Sequence, residues 1–228
     1  MKKLAILTNI VKILISVSGV LMLIGYLVAP TFWTKPLSYI ATIILPYVPN
    51  FFKLIKVNFS IPLTLAYESF IIIAMVLGID LNWYSEVFIT ASNDSYYDKI
   101  AHFSSGILVA LAGQELFMLN SRRNGNHQDT KWFQMLFLIG CVALVAVGWE
   151  CYEFFYDEIF GGSMQELVKA GVSDTMLDMI ASMVGGAICI ACIIIRDCLP
   201  TSTVAHTSAN NSVTSRKSPE RPPRSVGK

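Results

Sequence analysis

The chain is dominated by apolar runs about as long as a bilayer is thick. A membrane helix needs about 20 mostly apolar residues, each rising roughly 1.5 Å. Residues 61–81, 100–118, 132–152 and 175–195 meet that length. Residues 13–29 are apolar but shorter, and Lys2, Lys3 and Lys12 precede them. A basic start before an apolar run resembles a signal peptide. The following Pro30-Thr31-Phe32-Trp33 is a poor small-residue cleavage site, so this segment reads as an uncleaved first span. Residues 36–52 carry Pro36, Pro46 and Pro49, which membrane helices tolerate better than soluble ones do. Of the 228 residues, 54% are hydrophobic and 14% charged, against about 25% charged in a soluble domain. That balance excludes a disordered chain and an ordinary cytosolic enzyme. With a net charge of +1 it also excludes a nucleic-acid partner. The expected fold is all-α, a polytopic transmembrane bundle whose partners include membrane lipids.

Charge placement sets the expected topology, because cytoplasmic loops collect Lys and Arg. The loop after 61–81 is acidic, with Glu86, Asp94 and Asp98 against Lys99. The next is basic, with Arg122, Arg123 and Lys131, and the one after is acidic again, with Asp157, Glu158 and Glu166 against Lys169. If 36–52 crosses the membrane, every basic cluster falls on one side. That predicts six spans in the cell membrane with both termini cytoplasmic. The alternative has five spans, with 36–52 re-entrant or interfacial. The bundle extends over residues 1–198. Residues 199–228 are rich in Ser, Thr, Asn, Pro and Arg. Such a segment buries too little to offset its ordering entropy, so it reads as a disordered basic tail.

Cys189 and Cys192 form a C-x-x-C, a spacing that invites a redox or metal reading. Set among Ile and Ala in an apolar run, they read as small packing residues.

The informative residues are ionisable groups at the expected outer ends of three helices. Asp98 and His102 are four apart and share one helix face. Glu150, Glu153 and Asp157 are spaced three then four, and form one stripe if the helix continues. Asp174 and Asp178 are again four apart. Asp98 and Asp174 can be explained as caps at helix N-termini, where the macrodipole favours negative charge. Glu150, Glu153 and Asp157 crowd a helix C-terminus, where each costs about 0.3–1 kcal/mol. They require a compensator, which could be bound protons, His102, Lys99 or a cation. Carboxylate oxygens plus one imidazole suit a divalent cation, and Asp98, His102, Glu150, Glu153 and Asp178 are its candidate ligands. Paired carboxylates also suit general acid–base work, with Asp98, His102, Glu150, Glu153, Asp174 and Asp178 as candidate catalytic residues.

Two acids lie elsewhere. Glu68 falls eight residues past Ser60, roughly 12 Å into the bilayer, and is expected to be protonated or paired within the bundle. Glu115 is roughly 25 Å along the helix from Asp98, and is expected to snorkel toward Arg122 and Arg123.

The set Tyr97-Asp98-Lys99-x-x-His102-Phe103-x-x-Gly106, Gln114-Glu115, Trp149-Glu150-x-x-Glu153 and Asp174-x-x-x-Asp178 resembles the YjdF-like family of bacterial inner-membrane proteins. More loosely it is similar to VanZ-like proteins, which share an Asp-x-x-x-His and an Asp-rich helix start before a Gly, matched here by Gly185 and Gly186. The likeness spans about residues 60–196. It implies a multi-pass inner-membrane protein, with no activity assigned in the YjdF-like family. VanZ-like proteins are associated with teicoplanin resistance at the cell envelope.

Three functions fit these residues. The first is a metal- or acid/base-dependent enzyme acting on a lipid-linked or other envelope substrate. The second is a structural or assembly protein built around a buried polar network. The third is a proton- or cation-coupled transporter using Glu68.

Overall fold

The computed structural model describes residues 2–30, 35–88, 96–124, 131–160 and 172–198. All regular structure among them is helical. In chain order, α1 is Lys2–Val28, α2 is Pro36–Ile44 and α3 is Val48–Phe52. Then come α4, Ile61–Ile71, continued by a π-helical stretch over Ile72–Asp80, and the short α5, Trp83–Glu86. Three long helices complete the bundle: α6, Tyr96–Asn124; α7, Lys131–Phe160; and α8, Val172–Cys198. The tail from residue 199 and the loop stretches carrying Asp94 and Glu166 lie outside the described residues.

Six segments among the described residues are long and apolar enough to cross a membrane, including Pro36–Ile55. That segment is not one smooth helix. Pro46 opens a 3-10 turn over Leu45–Tyr47, and Pro49 sits in the first turn of α3. Each proline lacks the N–H that would extend the hydrogen-bond ladder, so the segment advances by short helices even though Leu45 and Val48 before them keep α dihedrals. A second 3-10 turn over Lys53–Ile55 ends at Lys56, which has a left-handed φ of 60°. The chain then enters α4 through Ser60, whose hydroxyl accepts from the N–H of Leu63 at 3.3 Å.

Large apolar side chains cover the outside. Leu21 is 63% exposed and Leu144 75%, a burial pattern that hydrocarbon satisfies and water does not. Inside, the helices form two packed groups. Ile15, Ile71 and Met75 join α1 to α4 and its π-helical continuation. Ala110, Leu138, Val142, Ile190 and Ile193 join α6, α7 and α8. The α6–α8 contact is the most extensive, and glycines make it possible. A Cβ on Gly106 would run into the Ser182 carbonyl, and one on Gly185 into the Phe103 carbonyl. Backbone therefore meets backbone at this seam, much as in small-residue membrane helix pairs.

Candidate functional site: a carboxylate–histidine cluster

The close seam brings the first turns of α6 and α8 together. Lys99 projects from α6 into the gap, and its Nζ donates to Asp174 Oδ1 at 2.5 Å and Asp178 Oδ1 at 2.7 Å. It also lies 3.2 Å from Asp98 Oδ2. One ammonium thus ties three aspartates from two helices. His102 stands a turn below, with Nε2 3.5 Å from Asp98 Oδ1 and 3.7 Å from Asp178 Oδ1. Its backbone carbonyl accepts from Ser105 Oγ at 2.7 Å and from Ser182 Oγ at 3.1 Å, which pins this turn of α6 against α8. His102 and Asp178 are buried, and Asp178 is only 1% exposed.

The third wall comes from α7. The helix does continue past Asp157, to Phe160, so Glu150, Glu153 and Asp157 share one stripe. Glu150 and Glu153 are buried while Asp157 is half-buried. Glu153 Oε1 accepts from Trp149 Nε1 at 2.6 Å. Glu150 sits opposite Thr175 of α8, within electrostatic reach of His102, Asp98 and Asp174.

Above the cluster lies an aromatic cover that the residue spacing did not single out. The Tyr84 ring of α5 packs edge-on against Tyr97, with centroids 5.3 Å apart, and rests on Gly78, where a Cβ would strike the ring. The Tyr97 hydroxyl donates to the Ile73 carbonyl at 2.7 Å. Burial, reinforced by the negative charge of Asp98, pushes the Tyr84 hydroxyl well above the usual tyrosine range. It therefore remains a neutral phenol, able to donate a hydrogen bond.

Asp98, His102 and Asp178 each offer one donor atom, and these atoms lie within 4.8 Å of one another, a spacing that could hold a metal ion. The Lys99 ammonium occupies part of the same gap, so the cluster already contains one internal cation. The wider charge is still unbalanced. Among the described residues, Lys99 and His102 are the basic groups set against Asp98, Asp174, Asp178, Glu150 and Glu153. Two like charges about 4 Å apart repel by about 4 kcal/mol at an effective dielectric of about 20, so the excess demands protons or a further cation.

Glu68 and Glu115 take no part in this group. Glu68 is fully buried and pairs with Lys12 of α1 at 3.7 Å. Its two oxygens have no hydrogen-bond partner among the described residues. Glu115 does not reach back to Arg122 and Arg123 as expected. It crosses to α4 and accepts from the Ser60 N–H at 2.7 Å and from the Ser60 hydroxyl. An oriented N–H and O–H on the neighbouring helix outcompete exposed guanidinium groups, whose attraction is weakened by water. Arg123 instead donates to the Lys56 carbonyl.

A further buried acid, Asp80, was not singled out in the sequence. It accepts from Ser38 at 2.5 Å and Thr42 at 2.8 Å, tying the second span to the third. Nearby, Lys35 donates to the Ile79 carbonyl at 2.6 Å and to Asn82 Oδ1 at 2.9 Å.

Fold and site together define a multi-pass helical membrane protein with a buried carboxylate–histidine cluster at one end of its last three long helices. Over residues 7–197 the chain matches the family described as "Predicted membrane protein (DUF2238)", and it belongs to that family. No curated protein and no solved structure matches it.

Proposed function

We infer that the protein is a membrane-embedded enzyme whose cluster binds a divalent cation and performs acid–base chemistry on a lipid-linked or polar-headgroup substrate of the envelope. The observation carrying this reading is the excess, among the described residues, of carboxylates over cations around Asp98, His102 and Asp178. In this reading Asp98 orients His102 as base or both act as ligands. Asp178 and Asp174 complete the ligand set beside Lys99. Glu150 and Glu153 provide further ligands or the acid–base pair, since neighbouring carboxylates separate in proton affinity. Tyr84 closes the site from above. The cluster faces the outside of the cell and both termini face the cytoplasm. This orientation is supported by Arg122, Arg123 and Lys131, which sit at the opposite ends of α6 and α7. Membership in the same group as the YjdF-like inner-membrane proteins fits the motifs from Tyr97 to Asp178.

Metal analysis of the purified protein is expected to give about one divalent ion per chain, lost in Asp178→Asn and reduced in Asp98→Asn. Thermal unfolding should shift upward with added Mg²⁺, Mn²⁺ or Zn²⁺ in the parent but not in Asp178→Asn. Absence of both bound metal and any cation-dependent shift would overturn the reading.

The three-way bridge of Lys99 favours a second reading, in which the cluster is a structural network fixing the register of α6 against α8. That reading expects the acidic variants to lose stability with no cation dependence at all.

A further inference from the structure

At the end of the bundle away from the carboxylate cluster, α1, α3 and the start of α4 enclose a cavity of about 230 Å³. A single water needs only about 10–15 Å³. Its polar wall is cationic. Lys12, 6% exposed, and the exposed Lys53 both direct their ammonium groups to one acceptor, Asn50 Oδ1, at 3.3 and 3.1 Å. Behind Lys12 the Glu68 carboxylate holds the ammonium from the core side. Two ammonium groups against one carboxylate leave a net positive charge at the wall. The start of α4 borders the cavity through Ile61 and Thr64 but adds no charge, because Ser60 and the Glu115 carboxylate already answer that helix end; the positive charge rests on the two lysines.

The cavity does not end in polar groups. Pro49, Phe59 and Thr64 also border a second cavity of about 90 Å³, otherwise lined by Val48, Phe52, Leu63 and Tyr67. The Tyr67 hydroxyl is turned away to the Leu45 carbonyl at 2.8 Å, so this second space is apolar. A cationic chamber opening beside an apolar one matches an amphiphile with an anionic head, not a free ion. Basic pockets between membrane helices on the positive side of a membrane protein take phosphate headgroups for the same electrostatic reason.

We propose that this paired cavity is a binding site for an anionic phospholipid, with its phosphate between Lys12 and Lys53 and the upper part of an acyl chain against Phe59, Phe52 and Leu63. The site is separate from the carboxylate cluster and does not depend on its chemistry.

The test is native mass spectrometry of the full chain released from detergent after incubation with dioleoylphosphatidylglycerol, with dioleoylphosphatidylcholine as the zwitterionic comparison. The parent should retain phosphatidylglycerol in clear preference to phosphatidylcholine. Lys53→Gln removes an exposed charge without disturbing the core, and should weaken retention about fivefold. Lys131→Gln, at the same end of the bundle but paired with Asp197 at 3.0 Å, should leave retention unchanged. Inorganic phosphate at the lipid's concentration should not displace it. Equal retention of the two lipids, equal losses in Lys53→Gln and Lys131→Gln, or displacement by inorganic phosphate would each overturn the proposal.

Discussion

Replacing Lys99 with methionine is expected to cost about 3 kcal/mol of stability or more, the largest loss from any single side chain near the cluster. The ammonium lies within 3.2 Å of Asp98, Asp174 and Asp178. Among the described residues its removal leaves His102 alone to offset those carboxylates, in a place where Asp178 is almost completely shielded from water. Lys99→Arg keeps the charge and should lose much less. The decisive measurement is thermal unfolding of Lys99→Met in detergent, with and without divalent cations. A cation that enters the vacated gap should recover part of the loss, and recovery should vanish when Asp178→Asn is added. Acidic buffer should also narrow the gap between variant and parent, because protonated aspartates no longer repel. A Lys99→Met protein as stable as the parent in neutral buffer would show that the aspartates are balanced by something other than this lysine.

The second large effect is expected at the glycine seam. In Gly106→Val the new Cβ meets the Ser182 carbonyl and the Gly186 N–H group, which are backbone and cannot rotate away. Overpacking of this kind costs about 1–3 kcal/mol where side chains can adjust, and a seam of two rigid helices belongs at the upper end of that range. Separation of α6 from α8 would also pull Asp98 and His102 away from Asp178. The variant should therefore lose cation-dependent stabilisation along with thermal stability. Gly140→Val is the matched control, since a Cβ there meets nothing within 4 Å and the change should be nearly silent. Equal behaviour of the two variants in thermal unfolding would remove the seam from the account.

Much of this arrangement was legible in the chain because it rests on short-range spacing. Asp98 and His102, Glu150 and Glu153, and Asp174 and Asp178 each lie three or four residues apart, so helical geometry alone places each pair on one face. Apolar run lengths indicate four of the membrane-length helices and charge placement favours two more, and six are found among the described residues. What sequence spacing could not supply is which helix each face meets. Glu68 was expected to need a partner, but the partner proved to be Lys12, distant in sequence and on α1. Glu115 was assigned to arginines on its own helix because only these were visible locally, and the structure gives it Ser60. Asp80 escaped notice because it closes an apolar run, and Ser38 and Thr42, which hold it, lie about forty residues earlier. Tyr84 sits between spans, where no periodicity points to a cluster. The one signal for it was Gly78, whose missing side chain makes room for the ring.

The π-helical stretch Ile72–Asp80 has a consequence for how the third span tolerates change. Hydrogen bonds of the i to i+5 kind hold more residues per turn than the α-helix does. The stretch acts as a phase shifter, so that Glu68 before it faces Lys12 while Asp80, its last residue, faces Ser38 and Thr42. If the same nine residues tightened to ordinary pitch, at about 100° each, the end of the span would swing well round relative to its start. Asp80 would then turn toward hydrocarbon and Gly78 would slip from beneath Tyr84. Point substitutions along its lipid side should pass unnoticed, whereas its wide pitch is held by both ends at once.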